Sequence, residues 1–138
     1  MAADLPVAEF GFPGLLRDAL VAAILRGEKT STTGLLEGHR REGSPLPSVG
    51  LREAVVDSQG ARVAVIETTE VEVKRMADVD LPFAIEEGEG FTTLEEWRDA
   101  HVRFFTSSEM TAFLGDPPVP VDDDTLVVCT RFRLVERL

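Results

Sequence analysis

In "FPGLLRDALVAAILRGEK" (residues 12–29) apolar side chains recur at helical spacing, and Leu16, Leu20, Ala23 and Ile24 share one face. Pro13 suits the first turn of such a helix, and Gly27 suits the left-handed position that ends it. The period is lost in "LLEGHRREGSPLPSVG" (35–50), which reads as a long loop stiffened by Pro45 and Pro47. From Leu51 the spacing changes. "LREAVVD", a turn at "SQG" and "ARVAVIETTEVEVK" predict a hairpin rich in β-branched residues. In its second strand the apolar positions 63 and 65 give way to Glu67 and Thr69, then resume at 71 and 73. A bulge explains that interruption; a polar group facing a pocket is the alternative.

"MADVDLPFAIEEGEGF" predicts a short helical turn followed by an acidic loop containing glycines. "TTLEEWRDAHVRFF" is the clearest helix, with Thr92 and Glu95, or Thr93 and Glu96, at capping-box spacing. Leu94, Trp97, His101 and Phe104 fall on one face of it. After an irregular segment ending in "GDPPVPVDDD", the alternation in "TLVVCTRFRLVERL" predicts a long final strand. Helices around a mainly antiparallel sheet make this an α+β chain, its sheet either open or closed into a small barrel.

Composition changes the picture little, and charge changes it more. The 138 residues are 43% hydrophobic with no repeat or low-complexity tract, as expected of one globular domain over 1–138. The most apolar stretch, "ALVAAIL", is far short of the roughly 20 residues a membrane span needs. "MAADLPVAEFG" lacks the basic start of a signal peptide, and a single cysteine, Cys129, fits a reducing cytoplasm. Of the net charge of −11, most falls between residues 67 and 99, which hold eleven acidic and three basic side chains. That balance argues against gripping long RNA or DNA, because phosphate neutralisation supplies most of that affinity. A nucleoside, or a short segment of RNA held specifically, remains open.

Metal and cofactor chemistry find no motif. His39 and His101 lie in different elements, no Cys/His cluster has zinc spacing, and no Walker-type loop occurs. Cys129 reads as packing in an apolar strand. Lys29, followed by Thr30, Ser31, Thr32, Thr33 and Gly34, is the best candidate for chemistry. A lysine can activate a neighbouring hydroxyl once it loses its proton, which needs its pKa to fall from about 10.4 to roughly 7–8. A solvated turn, with lysine and hydroxyls near the surface, is the commoner fate of such a run. The second candidate is Glu86, Glu87 and Glu89 around Gly88 and Gly90, where crowded carboxylates raise one another's pKa. The competing reading is a solvated loop complementing the dipole of the next helix. His101 reads as a satisfied, half-buried histidine. Trp97 reads as core, or else as a stacking platform for a base.

In order, "RGEKTSTTGLL", "GSPLPSVG", "VIETTEVEV", "FAIEEGEGFTTLEEWRDAHVRFF" and the final apolar strand resemble the ASCH domain family over roughly residues 12–136. The resemblance implies a β-barrel of the PUA-like superfamily with flanking helices. It also implies an RNA-binding cleft lined by the G-x-K motif, or, as in some small bacterial members, an amidohydrolase that removes an acyl group from N(4)-acetylcytidine. Other members are associated with RNA cleavage. Carried onto this chain, the lysine falls on Lys29, the threonine three residues later on Thr32, and the glutamate on Glu87, with Glu86 as the near alternative. Thr30, Ser31, Glu86, Glu89 and Trp97 are the expected substrate-binding set, with no metal and no cofactor. The family's G-x-K-x-x-T-x-R pattern ends here on Gly34 rather than arginine, which weakens a phosphate-gripping role.

Overall fold

The two longest runs of alternating residues pair with each other at the centre of the molecule. The computed structural model describes residues 2–138 and sets β4 (Arg62–Arg75) antiparallel to β5 (Leu126–Arg137). β3 (Arg52–Val56) forms the predicted hairpin with β4. β2 (Ser31–Leu35) lies antiparallel along the other side of β5, and the short β1 (Val7–Ala8) runs parallel to β3. Among the described residues these five strands form one sheet in the order β1-β3-β4-β5-β2. β1 and β2 do not pair. The sheet is therefore mainly antiparallel and open in its strand order, where a closed barrel is one expectation from the sequence. The register of β4 against β5 shifts between Thr68 and Glu70, so the interrupted pattern in "VIETTEVEV" is a bulge.

Helices cover both faces. α1 (Leu15–Leu25) buries Val21 and Ile24 against Val55, Ala64, Ile66 and Phe132. On the other side α3 (Leu81–Glu86) and α4 (Leu94–Phe105) pack Phe83, Ala84, Trp97 and Phe105 against Leu35, Val127 and Cys129. The capping box of α4 is the Thr93–Glu96 pair.

Three segments depart from the sequence reading. The hydroxyl run is not a free loop: Ser31–Leu35 is an edge strand whose partner is β5. Leu36–Glu42 is a helix, α2, inside the stretch expected to be a loop. Charge spacing rather than apolar period holds it. Glu37 pairs with Arg40 at i+3 and Arg41 at i+4, and Arg41 Nη1 also donates to the carbonyls of Leu114 and Gly115. A further helix, α5 (Ser108–Leu114), is capped by the Ser107 hydroxyl, which accepts from the Met110 N–H.

Candidate functional site

α1 ends at Gly27, whose φ of +79° reverses the chain, and the N–H groups of Glu28 and Lys29 both donate to the Ala23 carbonyl. This turn drives the Lys29 side chain inward. It is 2% exposed, against the surface position expected of a turn lysine. Its Nζ donates to the carbonyls of Ser31 (2.7 Å) and Glu87 (3.2 Å) and lies 3.9 Å from Glu87 Oε1. The Phe10 ring lies 5.8 Å away.

The segment that leaves α3 runs directly alongside this turn. The Thr30 N–H donates to the Glu86 carbonyl at 2.7 Å, stitching this segment to the start of β2. Gly88 (φ +70°) lies so close that a Cβ there would stand 2.7 Å from Glu28 O, Lys29 N and Lys29 Cα. Only glycine permits that approach.

Glu87 is 1% exposed, a buried carboxylate surrounded by donors. Its Oε2 accepts the Trp97 indole N–H and lies 3.0 Å from His101 Nε2. His101 Nδ1 is 2.7 Å from the Trp97 carbonyl, so Nδ1 carries a hydrogen and donates it. The indole and imidazole rings stack with centroids 4.3 Å apart. Burial lowers the pKa of Lys29, with the charges of Glu87 and Glu89 opposing. For His101, burial pulls downward, but the bond to Glu87 and the charges of Glu87 and Glu89 leave the pKa raised. Desolvation raises the pKa of Glu89, opposed by the charge of Lys29, helped by that of Glu87 and opposed again by His101. Burial pushes the Cys129 thiol up to about 12, consistent with a packing role.

These groups open on one cavity of about 940 Å³. Lys29, Thr32, Glu87, Glu89 and His101 line its polar part, and Phe10, Phe12, Leu16, Phe104 and Phe113 its apolar part. Thr32 lies opposite Thr130 across β2 and β5, and both line the cavity beside Phe132. Among the described residues, no hydrogen bond joins Thr32 to Lys29.

The other sequence candidates sit behind the wall. Ser31 is fully buried, and its Oγ donates to the Phe83 carbonyl. The Glu86 carboxylate pairs with Arg131 at 2.6 Å. Trp97 is 1% exposed and reaches Glu87 from the core side, and Thr30 contributes backbone bonds. His101, read from sequence only as a satisfied histidine, joins the site. The available signal was its position four residues after Trp97, one turn along the same face.

Glu87, Glu89 and His101 also present ligand atoms within 4.8 Å of one another, the grouping that could hold a metal among the described residues. Trp97 and His101 already direct hydrogens at Glu87. That environment suits protons better than a cation.

Among the described residues, no helix is long and apolar enough to cross a membrane. A structure from Enterococcus faecalis V583 superimposes with a TM-score of 0.83 at 31% identity, over 96% of this chain and 77% of that one. An ASCH domain from Lactobacillus crispatus JV V101 gives 0.80 at 29% identity, over 94% and 79%. The ASCH protein of Zymomonas mobilis shares the fold at 13% identity and a TM-score of 0.51, over 88% and 67%. No curated protein matches the chain. The family model of the ASCH domain matches residues 7–136, nearly the whole chain, which therefore belongs to the ASCH domain family.

Proposed function

We propose that the cavity binds a cytidine-like nucleoside and hydrolyses an acyl amide on its N(4) nitrogen. The observation that carries this reading is a buried lysine 3.9 Å from a buried glutamate, on a cavity that Thr32 also lines. The Thr32 hydroxyl attacks the acyl carbonyl while uncharged Lys29 takes its proton. The C–N bond then breaks, the cytosine nitrogen leaves with a proton returned by Lys29, and the acyl group stays on Thr32 as an ester. Water attacks that ester, again giving its proton to Lys29; the C–O bond to Thr32 breaks, Lys29 returns the proton to the Thr32 oxygen, and the carboxylic acid leaves. Glu87 orients the departing amine. Burial of Lys29 supports the base role, because it favours the uncharged amine. A cytoplasmic location goes with such a substrate.

Lys29→Ala and Thr32→Ala are each expected to abolish release of the acyl group from N(4)-acylcytidine. The double variant should lose little more, since residues acting as one unit are strongly non-additive. The check is turnover of a panel of N(4)-acylcytidines by wild type and the three variants. Wild type that binds the nucleoside but cleaves none of the panel would defeat the reading. As Lys29 works only when uncharged, kcat/KM should rise with pH through its lowered pKa and then level off.

A noncatalytic RNA-binding module is the second reading, favoured by His39 and Arg103 on the cavity wall. Five carboxylates line the same cavity, from Glu9, Glu42, Glu53, Glu87 and Glu89. Phosphate-driven binding would weaken steeply with salt, whereas nucleoside binding is expected to hold nearly constant.

A further inference from the structure

Glu87 is a single buried carboxylate with two basic groups beside it, and one positive charge suffices to balance it. Lys29 approaches Oε1 at 3.9 Å, while His101 Nε2 approaches Oε2 at 3.0 Å. The imidazole is the better placed. Its Nδ1 hydrogen is committed to the Trp97 carbonyl at 2.7 Å, so Nε2 of a neutral ring would be a bare lone pair facing a carboxylate oxygen. A hydrogen must lie between Nε2 and Oε2. Stacking on Trp97 and edge contact with Phe105 fix the ring in this orientation.

We propose that His101 is the counter-cation of Glu87, which leaves Lys29 free to sit at the cavity wall as an uncharged amine. His101 is thus a positioning residue. Its part in turnover rests on the reading of Lys29 as the base, while the charge assignment stands on geometry alone. The charged groups facing His101 are Glu87 and Glu89, with Lys29 on the far side of Glu87. The direction of both pKa shifts agrees: His101 is raised and Lys29 lowered. Remove the imidazolium and Lys29 becomes the only cation near Glu87, so it should hold its proton to higher pH.

The test is NMR titration of the His101 ring nitrogens and the Lys29 ammonium, in wild type and in His101→Gln, together with kcat/KM–pH profiles. In wild type both His101 nitrogens should carry hydrogen at pH 7. In His101→Gln the Lys29 titration, and the acidic limb of the profile, should move up by at least about one pH unit, tenfold in proton affinity. Activity lost at neutral pH should return at higher pH, which a damaged fold would not allow. A His101 ring with bare Nε2 at pH 7 overturns the proposal, and this measurement needs no variant. So does an unchanged Lys29 titration in a folded His101→Gln protein. Because the titrations do not need turnover, a wild type that hydrolyses nothing would defeat the hydrolase reading and leave the charge assignment to be decided by the NMR result.

Discussion

Trp97→Ala is expected to lower the free energy of unfolding by about 3–5 kcal/mol, the range for truncating a fully buried large aromatic. The indole is 1% exposed and packs in the core beneath α4, so little relaxation can fill the space it leaves. A second loss adds to the first. The indole N–H is one of the donors to the buried Glu87 carboxylate, and hydrogen bonds to charged groups contribute about 1.5–3 kcal/mol. Trp97→Phe separates the two, since it keeps most of the ring and removes the N–H. Urea unfolding should show a lowered midpoint in both variants, with the slope unchanged. A Trp97→Ala protein that unfolds like wild type yet loses nucleoside affinity would make the indole a stacking platform instead.

Gly88→Ala should damage the site more than its size implies. Its φ of +70° costs an L-residue about 1–2 kcal/mol, and the new methyl would lie 2.7 Å from the backbone of Glu28 and Lys29. That backbone belongs to the turn that aims Lys29, so it must move. A displacement of about 1 Å in a positioned group can cost roughly 100-fold in rate. Gly90→Ala is the matched control: φ is +87°, and nothing lies within 4 Å of the added methyl. It should show the backbone strain alone. Melting temperature and acylcytidine turnover, measured on both variants, distinguish the two costs. Equal effects in the pair would remove the close approach at Gly88 as the cause.

What could be read from the sequence was whatever depends on local spacing. The α4 capping box, the β3–β4 hairpin, the bulge near Thr69 and the final strand all follow from periods and turn residues within a few positions. α2 escapes a reading by apolar period, because its local signal is charge spacing from Glu37 and its remaining support is a contact from Arg41 to the end of α5, more than seventy residues away. β2 was missed because "STTGL" has no apolar alternation; its partner strand confers its structure. The same holds for the site. Lys29 beside its hydroxyl run and the three glutamates stand out from the residues alone, and family resemblance narrows these to Lys29, Thr32 and Glu87. The burial of Lys29 and the place of His101 arise from tertiary contacts between the α1–β2 turn, the segment after α3, and α4.

The order of the strands also bears on how the protein behaves in a crowded solution. β4 and β5 pair with each other over nearly their whole lengths, whereas β3 covers only residues 62–67 of β4 and β2 only residues 127–131 of β5. The two margins are β1, two residues long, and β2, five residues long. A foreign strand seeking backbone groups to pair with meets these short margins and also residues 70–75 of β4, which lie beyond the β3 ladder. That stretch carries Glu70, Glu72, Lys74 and Arg75, and edge charges of this kind, with the mutual repulsion of a net charge of −11, oppose pairing with a second copy.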